Sequence, residues 1–376
     1  MEDPDLIQTL ADLVSIPSIN LAYGGTGESE VAAWVEAFFQ RAGLTSQRQS
    51  VAPGQDNVLV RLAGRDRSRC LVLEAHMDTV STDGMVTPPF EPRIEGGRMH
   101  GRGACDTKAG LATMMHALLA QHRSGRPPAF DVLLAAVVDE EHSFTGVSRL
   151  VKDLQASAAI VAEPTQLRLV TASKGVLRWR VHAVGRASHS SKPHLGINAI
   201  TAMARAVTAL DADHQQLATP VHPLLGPATC TISTIHGGEQ INFVPERCVI
   251  ELDRRLLPGE EPDAVMAHCQ AVLDAIPGVT AETPPMLADA AFATPVDHAF
   301  VSACGSILAE LGLDASPCGV PFGSDASKFS RAGIPAIIFG PGSIDRAHAA
   351  DEYVEIDEVH SAFAFYQRLL SSECAW

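Results

Sequence analysis

The chain has 376 residues, beyond the length at which a single hydrophobic core usually stops growing, so two domains are expected, one of them inserted in the other. Hydrophobic residues make up 46% and charged residues 19%, the mix of an ordinary folded enzyme and not of a disordered or collagen-like chain. A formal charge of −16 argues against a phosphate-binding surface, because nucleic-acid affinity comes largely from lysine and arginine, and no nucleic-acid partner is expected.

The chain opens with MEDPDLIQTL, which has acids where a secretory signal carries a basic region and an apolar stretch. No export is expected. No run reaches the roughly 18 apolar residues of a membrane-spanning helix, so a soluble cytoplasmic protein without a membrane partner is expected. Eight cysteines (70, 105, 230, 248, 269, 304, 318 and 374) show no C-x-x-C spacing and read as reduced core residues. Cys105, beside Asp106, is a possible metal ligand, although simple packing is the commoner fate of a buried thiol.

Four apolar runs, CLVLEAHMD (70–78), FDVLLAAVVDEE (130–141), AAIVAEP (158–164) and PAIIFGPG (335–342), are continuous enough for parallel strands buried on both faces. Helical periodicity lies between them over residues 107–123, apolar at Leu111, Met114, Met115, Leu118 and Leu119, and over 144–154. This alternation predicts a mostly parallel α/β sheet. His76 and Asp78, Asp139 to Glu141, and Glu163 each stand where a run ends. Ligands of such sheets bind beyond the carboxyl ends of the strands, so these stretches should converge on one crevice.

The middle of the chain alternates with period two in LRWRVHAV, ATCTISTI and RCVIELDRR, with helical stretches near 196–213 and 262–276. That pattern predicts an inserted α+β domain, an antiparallel sheet covered by helices on one face, over residues 175–290. Residues 1–174 and 291–376 would form the other domain.

His76 and Asp78 share a face of an extended strand, and Asp78 is placed to accept the second ring proton of a ligating imidazole. Alone, H-x-D equally describes a satisfied histidine at a strand end. GRGACDTKAG turns on glycines into a helix, but it lacks the G-x-G-x-x-G spacing of a dinucleotide site. Asp106 within it is a ligand candidate and equally a helix N-cap. Asp139, Glu140 and Glu141 crowd the mouth of a buried sheet, where mutual repulsion and lost hydration call for cations or protons. One glutamate could then ligate while its neighbour moves protons; a solvated acidic helix start is the plainer alternative. Glu163 in AEPT and His348 in GPGSIDRAHAADEY complete a set of oxygen and imidazole donors. With no thiolate among them, the set suits zinc, cobalt or manganese.

Taken in order, HMDTV, GRGACDTK, DEE, AEPT, GRASHSSKPHLGINAI, LDRRLLPGE, FGSDAS and GPGSIDRAHAADEY resemble the zinc-dependent family of acetylornithine deacetylase, succinyl-diaminopimelate desuccinylase, aminoacylases and glutamate carboxypeptidase. The resemblance spans nearly the whole chain. It implies a di-metal catalytic domain and an inserted dimerisation or lid domain. In that family pattern Asp106 bridges two metal ions, one also held by His76 and Glu163, the other by Glu141 and His348. Glu140 is then the base, and His189 reaches across a homodimer to the partner's site. Arg255 and Asn242 resemble substrate-carboxylate contacts, although an arginine on a strand surface and an asparagine in a turn are both commonplace. Lys108, Arg254 and Gly323 receive no role.

DTKAG stands where the family often has D-M-K-G, and FGSDAS where G-G-T-D-A is frequent; neither departure removes a ligand. Among family members the motifs look most like acetylornithine deacetylase, which implies hydrolysis of an N-acetyl amino acid. Desuccinylase, aminoacylase and dipeptidase activities use the same metal core. A non-catalytic metal-binding protein has no need of Glu140 or His189, and a serine hydrolase would need a G-x-S-x-G elbow that the chain lacks.

Overall fold

The computed structural model describes residues 4–373; residues 1–3 and 374–376, Cys374 among them, lie outside the described residues. The chain forms two compact units, one of residues 1–171, 294–318 and 324–376, the other of residues 172–293 and 319–323.

The first unit is built on the four apolar runs. Asp66–His76, Phe130–Val137, Ala158–Val161 and Ala336–Ile338 are strands, and all three pairings among them are parallel. Every residue of Phe130–Val137 is buried. At about 1.5–3 kcal/mol for each fully buried Val or Leu, such a strand has no alternative place in water. Strand residues alternate between two packed faces. Leu71, Leu73 and Ala75, with Val132, Leu134 and Ala136, join the main core with the helix Ala109–Arg123, which is buried nearly all round and packs against Ile356–Ser371. On the other face, Thr145–Val151 packs against Ala326–Arg331.

Beyond Phe130–Val137 the sheet continues antiparallel through Gln55–Leu62 and Ser46–Ala52, a hairpin that the apolar runs do not announce. A small three-stranded sheet pairs Tyr353–Glu355 with Arg98–His100, which brings the residues around 352 next to those around 102.

The second unit is the antiparallel sheet predicted from period-two alternation. Thr229–Gly237, Arg247–Leu256 and Gly175–Val184 run side by side, and Val279–Ala281 and Leu287–Asp289 pair with the last of them. Leu177, Trp179, Val181, Ile250 and Leu252 form one core with Met203 and Leu210 of the helix Ala199–His214. The mixed α/β class with a separate antiparallel sheet is therefore as the sequence predicts.

Element ends differ from the sequence pattern by a few residues, and one difference is structural. The helix expected from residue 107 begins at Ala109, and Ala104–Lys108 form a π-type turn with Asp106 and Thr107 out of helical geometry. Asp106 is thus not the N-cap of that helix, a place taken by Lys108. Among the described residues all cysteines are free, and no helix is long and apolar enough to cross a membrane.

Candidate metal centre

Two adjacent strands end level, His76 opposite Val137, and the third ends at Val161 opposite Glu74, so that the chain beyond it runs on toward His76. The chain therefore delivers His76, the acids after Val138, and Glu163 to one rim. Gly340 allows this closeness, since a Cβ there would lie 2.6 Å from the Glu163 carbonyl oxygen.

The donor atoms fall into two groups, His76 with Asp106 and Glu163, and Asp106 with Glu141 and His348, each with its ligand atoms within 4.8 Å of one another. Asp106 belongs to both. Its Oδ1 is 3.1 Å from His76 Nε2, and its Oδ2 is 3.3 Å from His348 Nε2. Glu141 Oε1 is 3.1 Å from the same His348 nitrogen. The five candidate ligands are thus drawn together. Cys105 is not among them; its buried Sγ lies 3.3 Å from the Ser343 carbonyl oxygen, and burial raises its pKa well above that of a free thiol.

Asp78 organises the rim. His76 Nδ1 is 3.0 Å from the Asp78 carbonyl oxygen and 3.5 Å from its carboxylate, so the backbone oxygen is the nearer partner. The carboxylate instead accepts the backbone N–H groups of Glu140 and Glu141 at 3.1 and 3.0 Å. The acidic triplet divides its work. Asp139, in the left-handed region at φ 64°, accepts hydrogen bonds from Ser143 and Thr145, while Glu140 and Glu141 face the cluster. The helix that follows begins only at Thr145, so the triplet is not a solvated helix start.

Several supporting residues carried no signal in the sequence. Asn20 Nδ2 donates to Asp78 at 2.8 Å and to Asp139 at 3.0 Å. Glu352 accepts from the backbone of both Cys105 and Asp106 at 3.0 and 3.1 Å and pairs with buried Arg102 at 2.6 Å, which fixes the turn that carries the shared aspartate. Buried Lys108 donates to the carbonyls of Leu13 and Ile16.

The electrostatics are those of crowded buried acids. Burial and the charge of Asp106 raise Glu141 to about 7, and the same causes push Glu163 well above the usual carboxylate range. Burial also raises Glu140, reinforced by Asp325, Glu141 and Asp106. Hydrogen bonds to Asp106 and Glu141 raise His348 to about 10. Burial alone would lower His76, but hydrogen bonds to Asp106 and Asp78 outweigh it and its pKa rises. Protons are being held where cations of higher charge would fit. Oxygen and imidazole donors without a thiolate suit a borderline divalent ion.

In the second unit, His189 lies on the short strand Ser188–His189 opposite Phe243, is exposed, and hydrogen-bonds Ser191 at 2.8 Å. Asn242 is on the same ribbon, and its carbonyl accepts from Ser190 N–H. Arg255 donates to Asp253 at 2.7 Å.

The sheet and its rim of carboxylates and imidazoles define a mixed α/β protein with a metal-type donor cluster. The chain matches peptidase family M20/M25/M40 over residues 72–372 and belongs to it, and it is a hydrolase of amide bonds. A peptidase M20 domain-containing protein of Schizosaccharomyces pombe is 30% identical, over 97% of this chain and 84% of the relative. An acetylornithine deacetylase of Myxococcus xanthus is 29% identical, over 99% of this chain and 98% of its own. The structure of an M20 family metallo-carboxypeptidase from Sulfolobus solfataricus shares the fold, with a TM-score of 0.81 at 20% identity over 99% of both chains.

Proposed function

We propose that this chain removes an N-acyl group, acetyl in the first place, from a small amino acid such as N-acetylornithine. The observation that carries the reading is the division of Asp106, one carboxylate oxygen toward His76 and the other toward His348. A carboxylate so placed can bridge two divalent ions, zinc in this reading with cobalt or manganese as substitutes, held by His76 and Glu163 on one side and Glu141 and His348 on the other. When bound, such ions supply Lewis acidity to the amide carbonyl and lower the pKa of a water. Glu140 then serves as the base: its carboxylate takes a proton from the attacking water and returns it to the departing amine nitrogen. Burial raises its proton affinity above that of a free carboxylate, which favours its taking up a proton. Asp78 holds His76 and the Glu140 backbone in register.

His189, Arg255 and Asn242 complete the proposal. His189 steadies the developing oxyanion in the partner's site of a homodimer, and Arg255 and Asn242 receive the substrate carboxylate. Dimerisation through the inserted unit is supported by Thr229–Gly237, an edge strand that exposes Ile235, and by exposed Ile241 and Phe243 nearby. The free buried cysteines suit a reducing, cytoplasmic setting. The choice of acetyl rests on the motif resemblance and on the name of the Myxococcus relative.

Glu140→Gln should lower kcat about 10²–10⁴-fold while elemental analysis still finds two ions per chain. Activity that survives the substitution would refute the role of Glu140. A panel of N-acetyl, N-succinyl and N-carbamoyl amino acids and dipeptides, run with zinc- and cobalt-loaded protein, tests the substrate. Fastest turnover of an N-succinyl compound or a dipeptide would move the proposal to a desuccinylase or a peptidase.

A further inference from the structure

His348 reaches the cluster from a strained place in the chain. Residues 343–349 form two successive turns, in which the Arg346 N–H donates to the Ser343 carbonyl at 2.8 Å and the Ala349 N–H to the Arg346 carbonyl at 3.4 Å. His348 is the third residue of the second turn and has φ 59°, a turn position that favours glycine. A residue with a side chain keeps such a conformation only where its surroundings over-determine it. The ends of the segment are secured. The Cys105 thiol donates to the Ser343 carbonyl at 3.3 Å, the Ala350 carbonyl accepts the Val86 N–H at 2.9 Å, and Glu352 is tied to buried Arg102 and to the turn of Asp106. Between those ends, the side chain that holds the second turn is that of its first residue, Arg346.

The Arg346 guanidinium lies 4.9 Å from the centre of the Tyr353 ring, and its Nη1 is 3.4 Å from the Asp351 carboxylate. Tyr353 is itself fixed. It stands opposite His100 in the small three-stranded sheet, where the Arg98 guanidinium lies 4.4 Å from the ring centre and pairs with Glu355 at 2.7 Å. A planar guanidinium gains from an aromatic face both through the charge distribution of the ring and through stacking. Neighbours on extended backbone point to opposite sides. Glu352, fully buried, accordingly faces the turn of Asp106, while Tyr353, the next residue and only partly buried, meets Arg346. Among the five candidate ligands, only His348 shares a turn with Arg346.

We propose that Arg346, seated on the Tyr353 ring, is a positioning residue for His348 and so for the metal position of Glu141 and His348, and that the position of His76 and Glu163 does not depend on it. This inference rests on the two-ion reading of the cluster. Released from Tyr353, the turn relaxes from positive φ and no longer presents the imidazole to Asp106 and Glu141, while the strand-end ligands stay where the sheet puts them.

Stripping cobalt(II) from the full-length, cobalt-loaded protein with rising dipicolinate, with bound metal counted by elemental analysis, tests this. The parent should release two ions. Arg346→Ala removes a side chain that is 40% exposed, so the core is spared; it should bind one ion about tenfold more weakly and the other as the parent does. Tyr353→Leu should reproduce that loss, and Tyr353→Phe, which keeps the ring, should hold both ions as the parent does. His348→Ala identifies the affected ion, since adding Arg346→Ala to it should weaken the remaining ion no further if the arginine acts through the histidine. Equal weakening of both ions, no weakening of either, a further loss in the double variant, or Tyr353→Phe as weak as Tyr353→Leu would each overturn the proposal. A parent that holds fewer than two ions would instead refute the two-ion reading, and the inference with it.

Discussion

The two imidazoles that flank Asp106 belong to different kinds of structure. His76 is the last residue of an eleven-residue strand with neighbours on both sides, and its side chain is 2% exposed. His348 sits outside regular structure in the left-handed region at φ 59°, and its side chain is 51% exposed. Both lie within 3.3 Å of the same carboxylate. Half of the cluster is therefore a consequence of the core, since the sheet fixes the His76 backbone and burial confines its side chain. The other half is held by a turn outside the sheet, with His348 in the left-handed region.

Removing each histidine tests that contrast most severely. His76→Ala deprives the nearly inaccessible Asp106 and Asp78 of their shared partner, and a buried charge stripped of its partner costs about 3–5 kcal/mol. His348→Ala removes a half-exposed side chain and leaves Asp106 its His76 partner, so in metal-free protein it should cost less than His76→Ala. Both variants should lose hydrolysis. Urea unfolding in the presence of chelator separates them, and equal losses of stability would show that the strand-end half is no more rigid than the loop half.

The same contrast decides what could be seen in the sequence. Strands buried on both faces announce themselves as apolar runs, and the acids at their ends stand out because water-seeking groups rarely follow such runs. The hairpin of Ser46–Ala52 and Gln55–Leu62 does not, because its first strand, SQRQSVA, lies at a sheet edge, partly exposed, and has no need of apolar residues. The supporting residues Asn20, Arg102 and Glu352, and Glu28, which accepts the Asp139 N–H, are equally invisible. Each acts through a few hydrogen bonds to residues far along the chain, and such contacts leave no local periodicity. The turn at Asp106 was misread for a related reason. Helical spacing of apolar residues fixes a face, but hydrogen bonds from the Cys105 and Asp106 backbone to Glu352 hold the turn before the helix.

Glu28 sharpens the comparison from beneath the strand-end half. It is fully buried, accepts the Asp139 N–H at 2.9 Å, and has an Oε2 without a partner. Burial, with the charge of Asp78, raises its pKa from 4.5 to about 7. A carboxyl whose folded pKa lies above its unfolded value favours the folded state while protonated. That contribution is complete below about pH 4.5 and is lost as pH rises toward 7. Glu28→Gln keeps an acceptor for Asp139 and cannot ionise. The variant should match the parent at pH 4.5 and exceed its stability by up to about 3 kcal/mol at pH 8. A stability difference that stays flat across this range would mean that Glu28 does not titrate in the folded protein.

Thr107 offers the mildest perturbation of the strand-end half. Its hydroxyl donates to the Ala162 carbonyl at 3.1 Å, which ties the turn after Asp106 to the residue before Glu163. Thr107→Val preserves shape and leaves that buried carbonyl without this donor, so stability should fall by about 0.5–1.5 kcal/mol. If the tie also sets the spacing of Asp106 and Glu163, chelator competition should show metal affinity about tenfold weaker, as expected for loss of a contact behind the ligands. A loss of stability with unchanged affinity would confine the hydrogen bond to the fold. It would also show that the strand ends alone hold the two carboxylates in place.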